Sequence, residues 1–132
     1  MYGRATLMVA AAAVSACSHA ATSGVVGVEC HAGATAIRAA GLTGEQACDL
    51  VRERVEAALA AAPAARDVGV TIDLDLSRAG SAIARVRHSR TGTAHSYPDI
   101  AVDVMDRDLA RDDLVRLADA VTQSILTELQ KS

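Results

Sequence analysis

From Val68 to Leu76 apolar and polar residues alternate without a break: Val68, Val70, Ile72, Leu74 and Leu76 are separated by Gly69, Thr71, Asp73 and Asp75. A period of two is that of a strand with one buried and one wet face. Arg78-Ala79-Gly80 follows, and a three-residue loop with Gly80 in the left-handed conformation predicts a hairpin. In that register Ser77 faces Ser81, Leu76 faces Ala82, Leu74 faces Ala84, Ile72 faces Val86 and Asp73 faces Arg85. Apolar meets apolar and acid meets base. A slip of one residue would aim Arg85 and Arg87 at the core, which fixes the register.

Arg90-Thr91-Gly92 reads as a second three-residue loop. It predicts that Ser89 faces Thr93, Arg87 faces His95, Arg85 faces Tyr97 and Ala82 faces Ile100, and it places Ile100, Val102 and Val104 on the inward face. Pro98 cannot donate to a ladder, so it marks an edge position, a bulge, or pairing that begins only after it.

Upstream, Val25, Val26, Val28 and Cys30 suggest a short strand ending at His31-Ala32-Gly33. Thr43-Gly44-Glu45-Gln46 has the form of a capping box, with Thr43 as N-cap. Ala47, Val51, Val55, Ala58, Leu59 and Ala62 then recur at spacings of three and four, the stripe of a helix that ends at Pro63. A last helix carries Leu114, Leu117, Ala118, Val121, Ile125 and Glu128 along one side, with Asp112 and Asp113 near its positive end and Lys131 near its negative end. The order β-α-β-β-β-α predicts an α+β fold. Its economical packing is a two-layer sandwich, a mainly antiparallel sheet with both helices on one face and water on the other.

At 132 residues the chain holds one domain. It has no Phe and no Trp, and of its two tyrosines Tyr2 falls in the N-terminal leader, so the core is aliphatic. Nucleic-acid and sugar recognition by ring stacking lose their platforms. Net charge is −3, which does not draw polyanions.

MYGRATLMVAAAAVSAC has a basic residue at Arg4, an apolar run from Ala5 to Val14, and small residues before Cys17. The run is too short to span a bilayer and reads as an export signal. Val14-Ser15-Ala16-Cys17 resembles the lipobox of bacterial lipoproteins. The resemblance implies cleavage before Cys17, diacylglycerol on its sulfur, and Ser18 as a residue type associated with outer-membrane sorting. Residues 1–16 are then the signal peptide, 17–24 a tether on the membrane and 25–132 the domain. The other reading is ordinary cleavage after Ala20, which would release a soluble periplasmic protein.

Three cysteines are an odd number for an exported chain. Under either cleavage Cys30 and Cys48 remain, and an oxidising compartment favours a bond between them over two buried thiols.

No Gly-rich phosphate loop, CxxC pair, HExxH or nucleophile elbow is present. Cys30 and His31 are neighbours on a strand and point to opposite faces, so they do not converge on a substrate. The register puts His88 inside and His95 outside, which argues against a shared metal. Asp73 and Asp75 share the outer face with arginines and read as solvated ion pairs. The sharpest constellation is Arg85, Arg87, His95 and Tyr97, gathered outside by the two turns. It could hold a carboxylate or phosphate, or serve only as a polar face. Ile83, Ala101 and Met105 also point outward and could make that face a docking surface.

The expectation is a non-enzymatic envelope lipoprotein that needs no cofactor and meets the membrane through its anchor. Its domain would bind or support a protein partner. The rival is a soluble periplasmic domain that binds a small anion through the outer face.

Overall fold

The computed structural model describes residues 26–131. The leader, Cys17, Ala20 and the tether lie outside the described residues. Within them the elements are β1 (Gly27–Ala32), α1 (Gly44–Ala60), β2 (Gly69–Asp75), β3 (Ser81–Arg90), β4 (Thr93–Ser96), β5 (Ile100–Asp103) and α2 (Arg111–Leu129). The fold is α+β. β1 runs parallel to β2, and every other pairing is antiparallel. β3 is the hub, with β2 along one edge and both β4 and β5 along the other.

The central hairpin has the predicted register: Ile72 pairs with Val86, Asp73 with Arg85 and Leu74 with Ala84. Gly80 sits at φ +74°, and a Cβ there would lie 2.9 Å from the Val104 carbonyl oxygen. The turn therefore needs glycine for both conformation and space. Val70, Ile72, Leu74 and Leu76 are buried with Ala82, Ala84 and Val86. Against them pack Val51, Val55 and Leu59 of α1 and Leu114, Leu117, Val121 and Ile125 of α2.

The second turn corrects the expected pairing. Arg90 pairs with Thr93, Ser89 with Ala94, His88 with His95 and Arg87 with Ser96. The loop is two residues long, Thr91 and Gly92, at φ +48° and +83°. Positive φ at both central positions is the type I′ geometry whose twist matches the strands it joins. Farther on Ala84 pairs with Ile100 and Ala82 with Val102. Three residues, Tyr97 to Asp99, thus lie opposite two, Arg85 and Val86, which makes a bulge at Pro98. Ile100, Val102 and Val104 pack against the core as expected, although Ala82 meets Val102 rather than Ile100.

Thr43 caps α1 with the full reciprocal pair: its hydroxyl accepts from Gln46 N–H at 3.1 Å, and Gln46 Oε1 accepts from Thr43 N–H at 3.0 Å. On the wet side of α1, Arg52 lies 3.6 Å from Asp49 and 3.7 Å from Glu53. Cys48 is bonded to Cys30, with Cα atoms 5.5 Å apart. The bond staples α1 to β1.

α2 starts on Ala110, which has no side chain to cap with, and Asp113 takes over the task. Its Oδ2 accepts from Ala110 N–H at 2.7 Å. The side chain is fully buried, and it also accepts two bonds from Arg107, at 2.6 and 3.0 Å, and one from Arg116 at 2.6 Å. The Arg107 hydrogen bonds, together with that from Ala110, hold its carboxyl well below the usual range.

Two predictions follow from these turns and caps. Thr91→Asn should raise stability by about 1 kcal/mol, because asparagine tolerates the left-handed region better than a β-branched residue; a urea titration reads the change. Asp113 has a folded pKa below its unfolded value of about 3.9, so its contribution is present above that pH and lost as the pH falls through the folded value. Wild-type stability should therefore fall on acidification below about pH 4. Asp113→Asn should be less stable at neutral pH and should lose this part of the slope.

Candidate functional site

The bulge and the type I′ turn decide where the candidate residues go. Arg85 and Arg87 stand on the outer face of β3 as expected. His95 does not: paired with His88, it shares the inner face, and Tyr97 joins it there. The four-residue constellation is split into two groups by the thickness of the sheet. The cause is the single residue removed from the loop, which reverses the face of everything up to the bulge.

On the outer face both arginines are already paired. Arg85 lies 3.6 Å from Asp75 and 3.5 Å from Asp99, and Arg87 lies 3.3 Å from Asp73. Asp75 also accepts from the Ser77 hydroxyl at 2.6 Å and the Ser77 N–H at 3.0 Å, bonds that lower its pKa. All of these ion-pair groups are at least 30 % exposed, so each pair contributes well under about 1 kcal/mol. The face is a solvated lattice of opposite charges. A small anion would have to compete with Asp73, Asp75 and Asp99 for the same guanidinium groups.

On the inner face a ring cluster closes the end of the sandwich. His88 and His95 have ring centroids 5.4 Å apart, and His95 meets Tyr97 edge-on at 4.8 Å. His88 Nδ1 and Tyr97 Oη share a hydrogen across 2.7 Å. Glu128, from the last turns of α2, lies 3.6 Å from His95 Nε2 and 3.4 Å from Lys131 Nζ. Burial lowers the His88 pKa, aided by His95 and Arg90, and raises that of Tyr97 to about 12, aided by Glu128. Arg90 fixes the strand end from the other side by donating to the carbonyls of Ala64 and Arg66.

The hollow beside the cluster, about 390 Å³, is lined by Arg90, Thr93, His95, Glu128 and Lys131. Among the described residues no group of three or more His, Cys, Asp or Glu side chains is placed to hold a metal ion. The arrangement acts as a clamp that ties the β3–β4 turn to the end of α2.

Glu128 is visible in the sequence as a charged residue on an otherwise apolar helical stripe, and such a misfit is the signal of a charge held by a partner. Asp99 and Asp113 gave no local signal. Asp113 reads as an ordinary first-turn acid until the fold brings Arg107 beneath it.

No known protein family matches the chain, and no curated protein is significantly similar to it.

His88 titrates within the physiological range in the unfolded chain, at about 6.5, and lower in the folded one. Its neutral form is the one the fold accommodates, so stability should fall as the pH drops below about 6.5. His88→Gln should flatten the dependence between pH 7.5 and 5.5. An unchanged slope in that variant would remove His88 as its source.

Proposed function

We propose that this is a small exported bacterial envelope lipoprotein, held through an acylated Cys17, whose domain is a non-enzymatic binding or structural module. The observation that carries the reading is the Cys30–Cys48 bond, because structural disulfides persist in oxidising compartments and are rare in reducing ones. With those two cysteines paired, the third, Cys17, stands where the lipobox-like sequence requires the modified residue. Among the described residues no helix is long and apolar enough to cross a membrane, so a membrane-held form of this domain would depend on an anchor outside it. The outer face supports a partner-facing role better than capture of a small anion, since its arginines are matched by aspartates.

Intact mass spectrometry of the full-length protein from a bacterial membrane fraction, with and without reductant, tests this. The expected mass is that of a chain beginning at acylated Cys17 that gains the two hydrogens of a reduced disulfide. A soluble chain beginning after Ala20 would overturn the anchor. Reduction should also lower stability by roughly 3 kcal/mol, the loop-closure contribution of a bond of this span.

A further inference from the structure

The two edges of the sheet are built differently. The β4–β5 edge is interrupted: it carries Pro98, a bulge, and the exposed acids Asp99 and Asp103, all devices that discourage pairing with another strand. The β1 edge has neither the proline nor the bulge, and its one acid is the exposed Glu29. It is regular from Gly27 to Ala32 and contains no Pro, Lys or Arg.

Its hydrogen-bonding sense is fixed by two contacts. Gly27 N–H donates to the Val68 carbonyl and Gly33 N–H to that of Leu74, so Gly27, Glu29, His31 and Gly33 face β2. Val28, Cys30 and Ala32 then turn their N–H and C=O groups away from the sheet. Val28 is buried, whereas Cys30 and Ala32 are partly exposed. No strand among the described residues pairs with this edge.

Beside it runs a groove of about 610 Å³ between Cys30–Gly33 on one wall and Thr43, Glu45, Cys48 and Asp49 at the start of α1 on the other. Cys30 and Cys48 both line it, and their bond ties one wall to the other. Its charge is one-sided. Glu45 and Asp49 are exposed on the helix wall, Asp49 with Arg52 at 3.6 Å, while Glu29 points to the opposite face of the sheet from Cys30. His31, 3.8 Å from Glu29, is the sole basic side chain among the groove residues named.

From this juxtaposition we infer that the β1 edge binds an extended, basic polypeptide segment by strand addition. The N–H and C=O groups of Cys30 and Ala32 would complete a ladder with it, and its alternate lysine or arginine side chains would meet Glu45 and Asp49. A second copy of this chain fits worse. Antiparallel pairing of β1 with its own mate would bring α1, which packs on β1, and the acids Glu45 and Asp49 against their symmetry mates. The inference rests on the binding-module reading and names the class of its partner.

The test uses the full chain and a short fluorescein-labelled peptide of alternating lysine and valine, followed by anisotropy. An alternating glutamate and valine peptide is the control. Saturable binding of the basic peptide alone, weakening with added salt, is expected. Ala32→Pro should weaken it about tenfold or more, because it deletes an outward N–H and no bond to β2. Should that variant fail to fold, Glu45→Lys with Asp49→Lys, both on the exposed helix surface, should give the same loss. Absence of binding, or equal binding in the folded variants, would overturn the inference. So would self-association in sedimentation equilibrium that Ala32→Pro abolishes, since the edge would then serve a second copy. An acylated, membrane-held chain that binds no peptide refutes this inference and spares the envelope reading; peptide binding by an unacylated chain does the reverse.

Discussion

Sliding β3 by one residue against β2 would drive Arg85 and Arg87 beneath two helices and lift Ala84 and Val86 into water. The rest of the domain depends on the prohibition of that slip. Burying two guanidinium groups without partners costs far more than a domain of this size can spare, so the hub strand has a single register. Ala82 and Ala84, both fully buried, let the helical layer approach the hub closely. α2 packs on β3 and β5, α1 packs on β1, and the two helices pack on each other, with Arg54 and Asp119 paired across them at 3.5 Å. Each outer layer thus inherits its position from the alternation on one strand.

What could be read from the sequence follows the range of the interaction responsible. The β2–β3 hairpin, the Thr43 capping box and the apolar stripes of both helices are set by residues a few positions apart, and they appear as expected, save that Ala58 of the α1 stripe is exposed and Cys48 and Leu50 are buried beside it. The second turn departs from the three-residue reading for a physical reason: a β-branched residue at positive φ is a poor cue for type I′ geometry, so Thr91-Gly92 does not announce a two-residue loop. The inward face of Ile100 and Val102 could nevertheless be anticipated, because the bulge at Pro98 adds a second one-residue shift in the same direction. Two such shifts restore parity while moving the pairing by two residues. Only the segment between them, with His95 and Tyr97, changes face.

The same distinction separates the two halves of the candidate site. Arg85 and Arg87 lie on the hairpin whose register was determined locally, and they stand where alternation puts them. The clamp of His88, His95, Tyr97 and Glu128 needs the turn, the bulge and the end of α2 together, and no spacing along the chain encodes that meeting. Asp113 is the extreme case. A carboxylate with no water contact is tolerable only because Arg107, Arg116 and the Ala110 N–H supply hydrogen bonds from three directions. The pairing of Cys30 with Cys48, by contrast, was accessible by counting, since parity and compartment restrict the choices before any geometry is known.

The disulfide also bears on how the sheet can keep one edge open. An unprotected strand edge invites aggregation, and the usual remedies are those seen at Pro98 and the bulge. At β1 the exposed Glu29 is joined by a second device: the bond to Cys48 holds the acidic start of α1 beside the edge, so that an acidic strand approaching it meets Glu45 and Asp49. The electrostatic cost falls on copies of this chain, which carry the same acids at the same edge, and is reversed in sign for a basic segment. Protection against self-association and admission of a basic partner are then one property of the groove. That property depends on the covalent tie between strand and helix, because a helix free to swing away would leave the edge both unguarded and unshaped.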